Sequence, residues 1–297
     1  MRIAIIGAGA IGSLFGAYLS HKNEVIFVGR KDHVDAINSK GLRIEGINNF
    51  TLRAHAYTEY NGGAEIIFLT VKSYDTQNAM DGIMEKLENE YIVSLQNGIG
   101  NIDIIKKYTK RVIGAITTEA STFVGPGIIR HTGRGITKVG NIYKKDEEMA
   151  KKIVNILKES RFNSEYSKNI KNEIWIKGAI NSCINPLTAI LEIKNGQLRD
   201  ENISPLIDCL IDENSMVLSS LGIDIDFRSL LLDVIDKTSE NYSSMLQDIM
   251  HKKRTEIDQI TGKIIEYASK KNIEIPCTRA IYHILKEKEK ILLYYKK

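Results

Sequence analysis

At 297 residues the chain is too long for one ordinary compact core and suits two domains of typical size. Apolar residues at 43% and charged residues at 26% describe a soluble globular protein, not a disordered or fibrous one. The net charge of +4 is spread with both signs interspersed, without the concentrated basic stretch of a nucleic-acid binder. The nearest approach is the C-terminal KEKEKILLYYKK, read as a solvated helix end. Cys183, Cys209 and Cys277 stand far apart; an odd, sparse count argues for a reducing compartment and against a disulfide framework. The six histidines form no H-x-x-x-H or Cys/His cluster, so no metal site is expected.

The opening MRIAIIGAGAIGSLFGAYLS has the charge and apolar run of a secretory leader. Its glycines, however, follow a G-x-G-x-x-G spacing, and the run is too short and glycine-broken for a membrane span. A cytoplasmic protein is expected. RIAII reads as a buried parallel strand, the glycines as a turn, AIGSLFGAYLSHKN as a helix and EVIFVGR as a second strand, the context a dinucleotide fingerprint requires. Gly7 would make the tight turn, Gly9 would admit a pyrophosphate, and Gly12 would let the helix pack closely. Ala8, Ala10 and Ile11 complete the segment, whose amides at the helix start attract phosphate. The alternative is a strand-to-helix turn without a ligand.

Arg30 closes the second strand, where an acid would grip the ribose of NAD. A guanidinium there suits the 2′-phosphate of NADP(H) by bidentate bonding, with Lys31 beside it. Otherwise it is a solvent-facing arginine. AEIIFLTVKS and YIVSLQNGIGN continue the sheet and end in Lys72 and Asn97, where ligands of open α/β sheets collect, so both should face the cofactor cleft; the alternative is that they are turn residues. RVIGAITTEASTFV is a further strand of that sheet, and GIIRHTGRGITKVG with its Gly-Pro-Gly lead-in suggests an antiparallel hairpin.

From about residue 147 helical runs take over, with the seam at 161–170 and no flexible linker. The expected architecture is α/β, an N-terminal Rossmann dinucleotide-binding domain (1–166) followed by an all-α substrate domain (167–297). In EIWIKGAINSCINPLTA, Lys177, Asn181 and Asn185 recur every four residues and so form one polar track on a helix with apolar neighbours. Pro186 should kink or restart that helix, with Asn185 as the cap of the new segment. Either Lys177 snorkels to water and the asparagines cap locally, or all three line a ligand cleft, where partial burial would lower the lysine towards a proton donor's range. Ser243 and Ser244 precede helical MLQDIMHKK as candidate caps, and Glu256 reads as mid-helix with Ile257 and Ile260 on its apolar flank.

Taken together, IGAGAIG, VGR, VKS, LQNGIGN, PGIIRHTGRG, KGAINSCINPLTAI and SSMLQDI…RTEIDQITG resemble the ketopantoate reductase (2-dehydropantoate 2-reductase) family nearly end to end. The resemblance implies an NADP-dependent oxidoreductase reducing a 2-oxo acid with NADPH, on the route to pantothenate and coenzyme A. It implies Lys177 as general acid and Glu256 as the partner orienting substrate or Lys177. Asn97, Asn181, Asn185 and Ser244 would hold the substrate, with Lys72 beside the nicotinamide ribose, Arg30 on the 2′-phosphate and Asn97 also among the cofactor-binding residues. The implied partner is a small molecule rather than nucleic acid or membrane, and the implied assembly a monomer or homodimer. Two departures stand out. Ser73-Tyr74-Asp75 follows Lys72 in place of the family's usual run, and Glu119 would bring an extra carboxylate towards an anionic substrate. A reductase of another branched 2-oxo acid and a non-catalytic NADP sensor are the alternatives.

Overall fold

A computed structural model describes residues 1–295 of the chain. It divides into two compact units, Met1–Gln96 with Gly100–Glu173, and Asn97–Ile99 with the chain from Ile174 onward.

The first unit begins with β1 (Arg2–Ile6), α1 (Ala10–Leu19), β2 (Glu24–Val28) and α2 (Lys31–Lys40), followed by short strands β3 (Leu42–Gly46), β4 (Phe50–Leu52) and β5 (His55–Tyr57). It continues through β6 (Ile66–Leu69), α3 (Thr76–Ile83), β7 (Tyr91–Ser94), α4 (Asn101–Ile105) and β8 (Val112–Thr117). The last four residues of β1 and of β2 are all buried, because a parallel strand covered on both faces has no polar side to alternate with. The main sheet runs β5-β2-β1-β6-β7-β8, then β11 (Thr137–Asn141) antiparallel to β8 and β12 (Ser164–Tyr166) at the far edge. Its six parallel strands follow the doubly wound order, which reverses direction between β1 and β6. Helix α5 (Glu147–Glu159) links β11 to β12 and buries Ile153, Val154 and Leu157. Asn38 closes the free edge of β5: its amide accepts the N–H of Ala56 at 3.0 Å and donates to the carbonyl of Ala56 at 2.8 Å.

The hairpin expected from the Gly-Pro-Gly turn is β9 (Ala120–Gly125) against β10 (Ile128–Gly133). It does not continue the main sheet. With β3 and β4 it builds a second sheet in the order β4-β3-β10-β9. The run expected as one strand, RVIGAITTEASTFV, breaks at Thr118-Glu119 between β8 and β9.

The second unit is helical. It comprises most of α6 (Ile170–Leu191), then α7 (Ser204–Ser220), α8 (Phe227–Lys237), α9 (Ser244–Met250), α10 (Thr261–Lys270) and α11 (Pro276–Lys290). Its core joins Ala179, Ile184 and Leu187 of α6 to Leu210, Val217, Leu231, Ile264 and Ile281. Helix α6 neither restarts at Pro186 nor uses Asn185 as a cap; it is helical without a break from Ile170 to Leu191. Burial of the 182–189 run against its neighbours outweighs the single lost backbone bond. No helix among the described residues is long and apolar enough to cross a membrane.

The cysteine reading needs correction. Cys209 on α7 and Cys277 in the first turn of α11 form a disulfide, with Cα atoms 6.4 Å apart at a sequence separation of 68. Helix packing, invisible in the spacing, brings them together. Glu213 lies beside the pair and accepts the N–H groups of Cys277 and Thr278, each at 2.7 Å. The three side chains are close enough to suggest a metal cluster, but both sulfurs are bonded to each other and the carboxylate caps α11.

Candidate active site

The glycine turn is built as its spacing requires. Gly7 has φ +101°, and a Cβ there would lie 2.5 Å from the amide nitrogen of Val71, just past β6. A Cβ on Gly12 would sit 2.4 Å from the carbonyl oxygen of Gly7. Gly9 differs: a Cβ there would meet nothing nearer than 3.9 Å. The protein's own packing does not demand glycine at that position, which leaves the open face for a phosphate to approach. Both Gly7 and Ala8 donate to the carbonyl of Val28, at 3.0 and 2.9 Å, so the turn is pinned to the end of β2. Thr70 secures the other side, its hydroxyl 2.9 Å from the carbonyl of Gly7. Ala10, Ile11 and Gly12 open α1, and their amides have no intrahelical partner to use. The residues present fit a dinucleotide pyrophosphate.

Arg30 lies two residues past β2 as the extended residue before α2, with its side chain exposed. Lys31 is drawn to Asp35 at 2.9 Å. Lys72 stands before a short 3-10 turn, Ser73–Asp75, on the strand end next to Gly7. Of the unfamiliar residues after Lys72, Ser73 joins a polar lattice: its carbonyl accepts the Thr76 hydroxyl at 2.9 Å and its hydroxyl accepts the Asn101 amide at 3.4 Å, while Gln96 donates to Thr76 at 2.7 Å and to the carbonyl of Val71 at 3.0 Å. Glu119 does not face outward. Its carboxylate is buried against His131 at 2.8 Å, and the other ring nitrogen of His131 lies 3.3 Å from the hydroxyl of Tyr18.

In the second unit, α6 carries Lys177, Asn181 and Asn185 on successive turns. The Lys177 ammonium donates to Asn97 Oδ1 at 2.9 Å. Burial drives the lysine down to about 8, and the negative charge of Glu256 opposes that fall. The next residue must be small: a Cβ on Gly178 would lie 2.6 Å from the side chain of Ile99. Ile99 in turn donates its N–H to Gln259 at 2.8 Å, tying the Asn97 segment to the turn that carries Glu256.

Glu256 is not in a helix. It occupies the turn between α9 and α10, buried at 4% exposure. The segment leaves α9 through Lys252, whose φ is +52°, and the carbonyl of Glu256 then accepts the N–H groups of Gln259 and Ile260. Ser243 caps α9 by accepting the N–H of Leu246 at 3.1 Å. Its hydroxyl also meets that of Thr188 at 2.7 Å, which fastens the start of α9 to α6 one turn past Asn185. Ser244 follows in the first turn with its side chain exposed, while Asn181 is half-buried and Asn185 buried. Thus Lys177, Asn97 and Glu256 are drawn together, and the two asparagines share their helix. Nothing in the sequence pointed to Thr188, His131 or Thr76, whose side-chain partners named above lie 12 to 113 residues away.

A doubly wound unit with an intact phosphate turn, followed by a helical unit holding an amine among amides and a carboxylate, defines a Rossmann-type dinucleotide-binding protein. Residues 3–144 match the family model described as Ketopantoate reductase PanE/ApbA, and residues 169–289 match the model of its C-terminal region. The 2-dehydropantoate 2-reductase of Pyrococcus horikoshii is 40% identical over 98% of both chains. A crystal structure of a PanE/ApbA family ketopantoate reductase from Ralstonia eutropha superposes with a TM-score of 0.92 at 28% identity, covering 99% of this chain and 100% of the other. The ternary structure of D-mandelate dehydrogenase with NADH and anilino(oxo)acetate superposes at 0.93 with 27% identity, covering 98% and 99%. The chain belongs to the ketopantoate reductase family.

Proposed function

We propose that the protein reduces 2-dehydropantoate to pantoate with NADPH. Bound NADPH supplies the hydride. The chain's own part is to hold the 2-oxo acid and deliver a proton to the carbonyl oxygen as negative charge develops on it. Lys177 is suited to both tasks, because an ammonium held near neutral pH by burial is a strong enough acid to transfer its proton and a charge that stabilises the oxyanion. Asn97 aims the ammonium, and Glu256 keeps it protonated in the working range. Asn181, Asn185 and Ser244 are proposed to bind the carboxylate and hydroxyl groups of the substrate. Arg30 is proposed to take the 2′-phosphate, Lys72 to lie beside the nicotinamide ribose, and Asn97 to face the cofactor as well as the substrate.

The observation that carries this reading is the depressed, amide-bound Lys177 on a helix shared with both asparagines. A second reading has specific support, since the D-mandelate dehydrogenase structure shows that a closely similar fold serves another acid with NADH. Initial rates with 2-dehydropantoate and other branched 2-oxo acids, each with NADPH and NADH, separate the two. The proposal requires the highest kcat/KM for 2-dehydropantoate with NADPH; a different acid preferred by orders of magnitude would transfer the assignment to it. Because the acid must be protonated, kcat/KM should hold at neutral pH and fall as pH rises through about 8.

A further inference from the structure

Helix α11 ends in a sequence, KEKEK, with the composition of a fully solvated surface, yet Glu289 within it is only 6% exposed. A carboxylate is not buried at a helix end without partners. Glu289 has two, both on Thr255: it accepts the backbone N–H at 2.8 Å and the hydroxyl as well. Thr255 immediately precedes Glu256, and its own hydroxyl oxygen accepts the N–H of Ile257 at 3.3 Å. The bonds made by Thr255 therefore bracket Glu256 in a stretch that no helix or strand ladder holds in shape. The same helix grips Asp258 through Tyr282 at 2.8 Å and Lys286 at 3.0 Å. One turn of α11 also reaches the helix that bears Lys177: Lys288 donates to the carbonyls of Ala189 and Ile190, each at 2.8 Å.

We propose that Glu289 is a positioning residue for the reaction, fixing the Thr255–Ile257 turn so that the Glu256 carboxylate is held towards Lys177. This rests on the reading of Lys177 as the proton donor. Glu289 touches neither substrate nor cofactor in this account; it acts through Glu256. The ionisable groups around the turn are Glu256 itself, then Asp258 with Arg254, Lys286 and Tyr282, and finally Glu289 with Lys288 and Lys290 on its own helix. Of these, Glu256 is the one whose charge raises Lys177.

The test uses the full-length chain with NADPH and its preferred 2-oxo acid. Glu289→Leu removes the one carboxylate oxygen that accepts both bonds from Thr255, whereas Glu289→Gln keeps an amide oxygen that can accept them. Glu289→Leu should lower kcat at least tenfold, leave NADPH affinity within about twofold, and move the alkaline limb of kcat/KM to lower pH, since a displaced Glu256 no longer raises Lys177. Glu289→Gln should return the limb most of the way. A purely structural role would scale the rate with the folded fraction and leave the limb where it was. A folded Glu289→Leu protein with an unmoved limb overturns the proposal, whatever its rate. If that variant does not fold, Thr255→Ala carries the same expectation and the same refutation. Lys177→Ala, measured alongside, separates the two claims. Its loss of activity with an unmoved Glu289→Leu limb defeats this proposal alone, and its full activity defeats both.

Discussion

Lys177 shows how a single side chain acquires a chemical role from its surroundings. On an exposed helix it would titrate near the ordinary value of 10.5; here burial brings it to about 8, with Glu256 limiting the fall. The four-residue spacing with Asn181 and Asn185 was visible in the sequence, because polar residues on a largely apolar helix stand out. The amide of Asn97, 80 positions earlier, was read as a strand-end residue and, from the resemblance, as a substrate contact; its bond to Lys177 is a product of folding. Arg30 supports a prediction at the same scale. If its guanidinium binds the 2′-phosphate, Arg30→Ala should raise the KM for NADPH about 10- to 100-fold, the loss expected for hydrogen bonds to a charged group. The KM for NADH should change little. An equal rise for both cofactors would remove Arg30 from that role.

At the level of elements, the first half was readable because buried parallel strands and a glycine turn leave local marks. The split of β9 and β10 into a second sheet was not, since nothing local distinguishes strands of one sheet from those of another. Glu256 was read as mid-helix because RTEIDQI has helical periodicity; tertiary bonds from Glu289 and the left-handed Lys252 outweigh that propensity. His33 links three elements in a way the sequence concealed. From α2 its Nδ1 accepts the N–H of Gly127 at 2.9 Å, and its Nε2 lies 3.0 Å from the hydroxyl of Ser13 on α1. Accepting at Nδ1 makes the ring neutral, and burial holds it below its usual 6.5. The unfolded chain therefore takes up a proton first as pH falls, so this contribution is full above 6.5 and is lost below it. Urea denaturation at about pH 7.5 and about pH 5.5 should show a loss of stability at the lower pH that shrinks in His33→Gln. An identical loss in that variant would assign the pH dependence to other groups.

For the molecule as a whole, length and composition supported two units, and the disulfide adds a restraint that composition argued against. The bond closes a loop of 68 residues between α7 and α11, long enough for a substantial restriction of the unfolded chain. Reduction, or Cys209→Ser with Cys277→Ser, should lower stability by about 2–4 kcal/mol. Thiol titration of the denatured, unreduced chain should find Cys183 alone. Three reactive thiols per chain before reduction would show that the bond does not form. The staple also bears on the site, because α11 is the helix whose far end holds the Glu256 turn.

The most direct test of the account compares Lys177→Ala with the unaltered protein in two measurements on the same preparation: NADPH affinity by fluorescence, and single-turnover hydride transfer to 2-dehydropantoate. NADPH affinity should stay within about threefold, while hydride transfer should fall about 100- to 10,000-fold, the range a positioned general acid contributes. Hydride transfer within about threefold of the unaltered rate, with NADPH still bound, would contradict it.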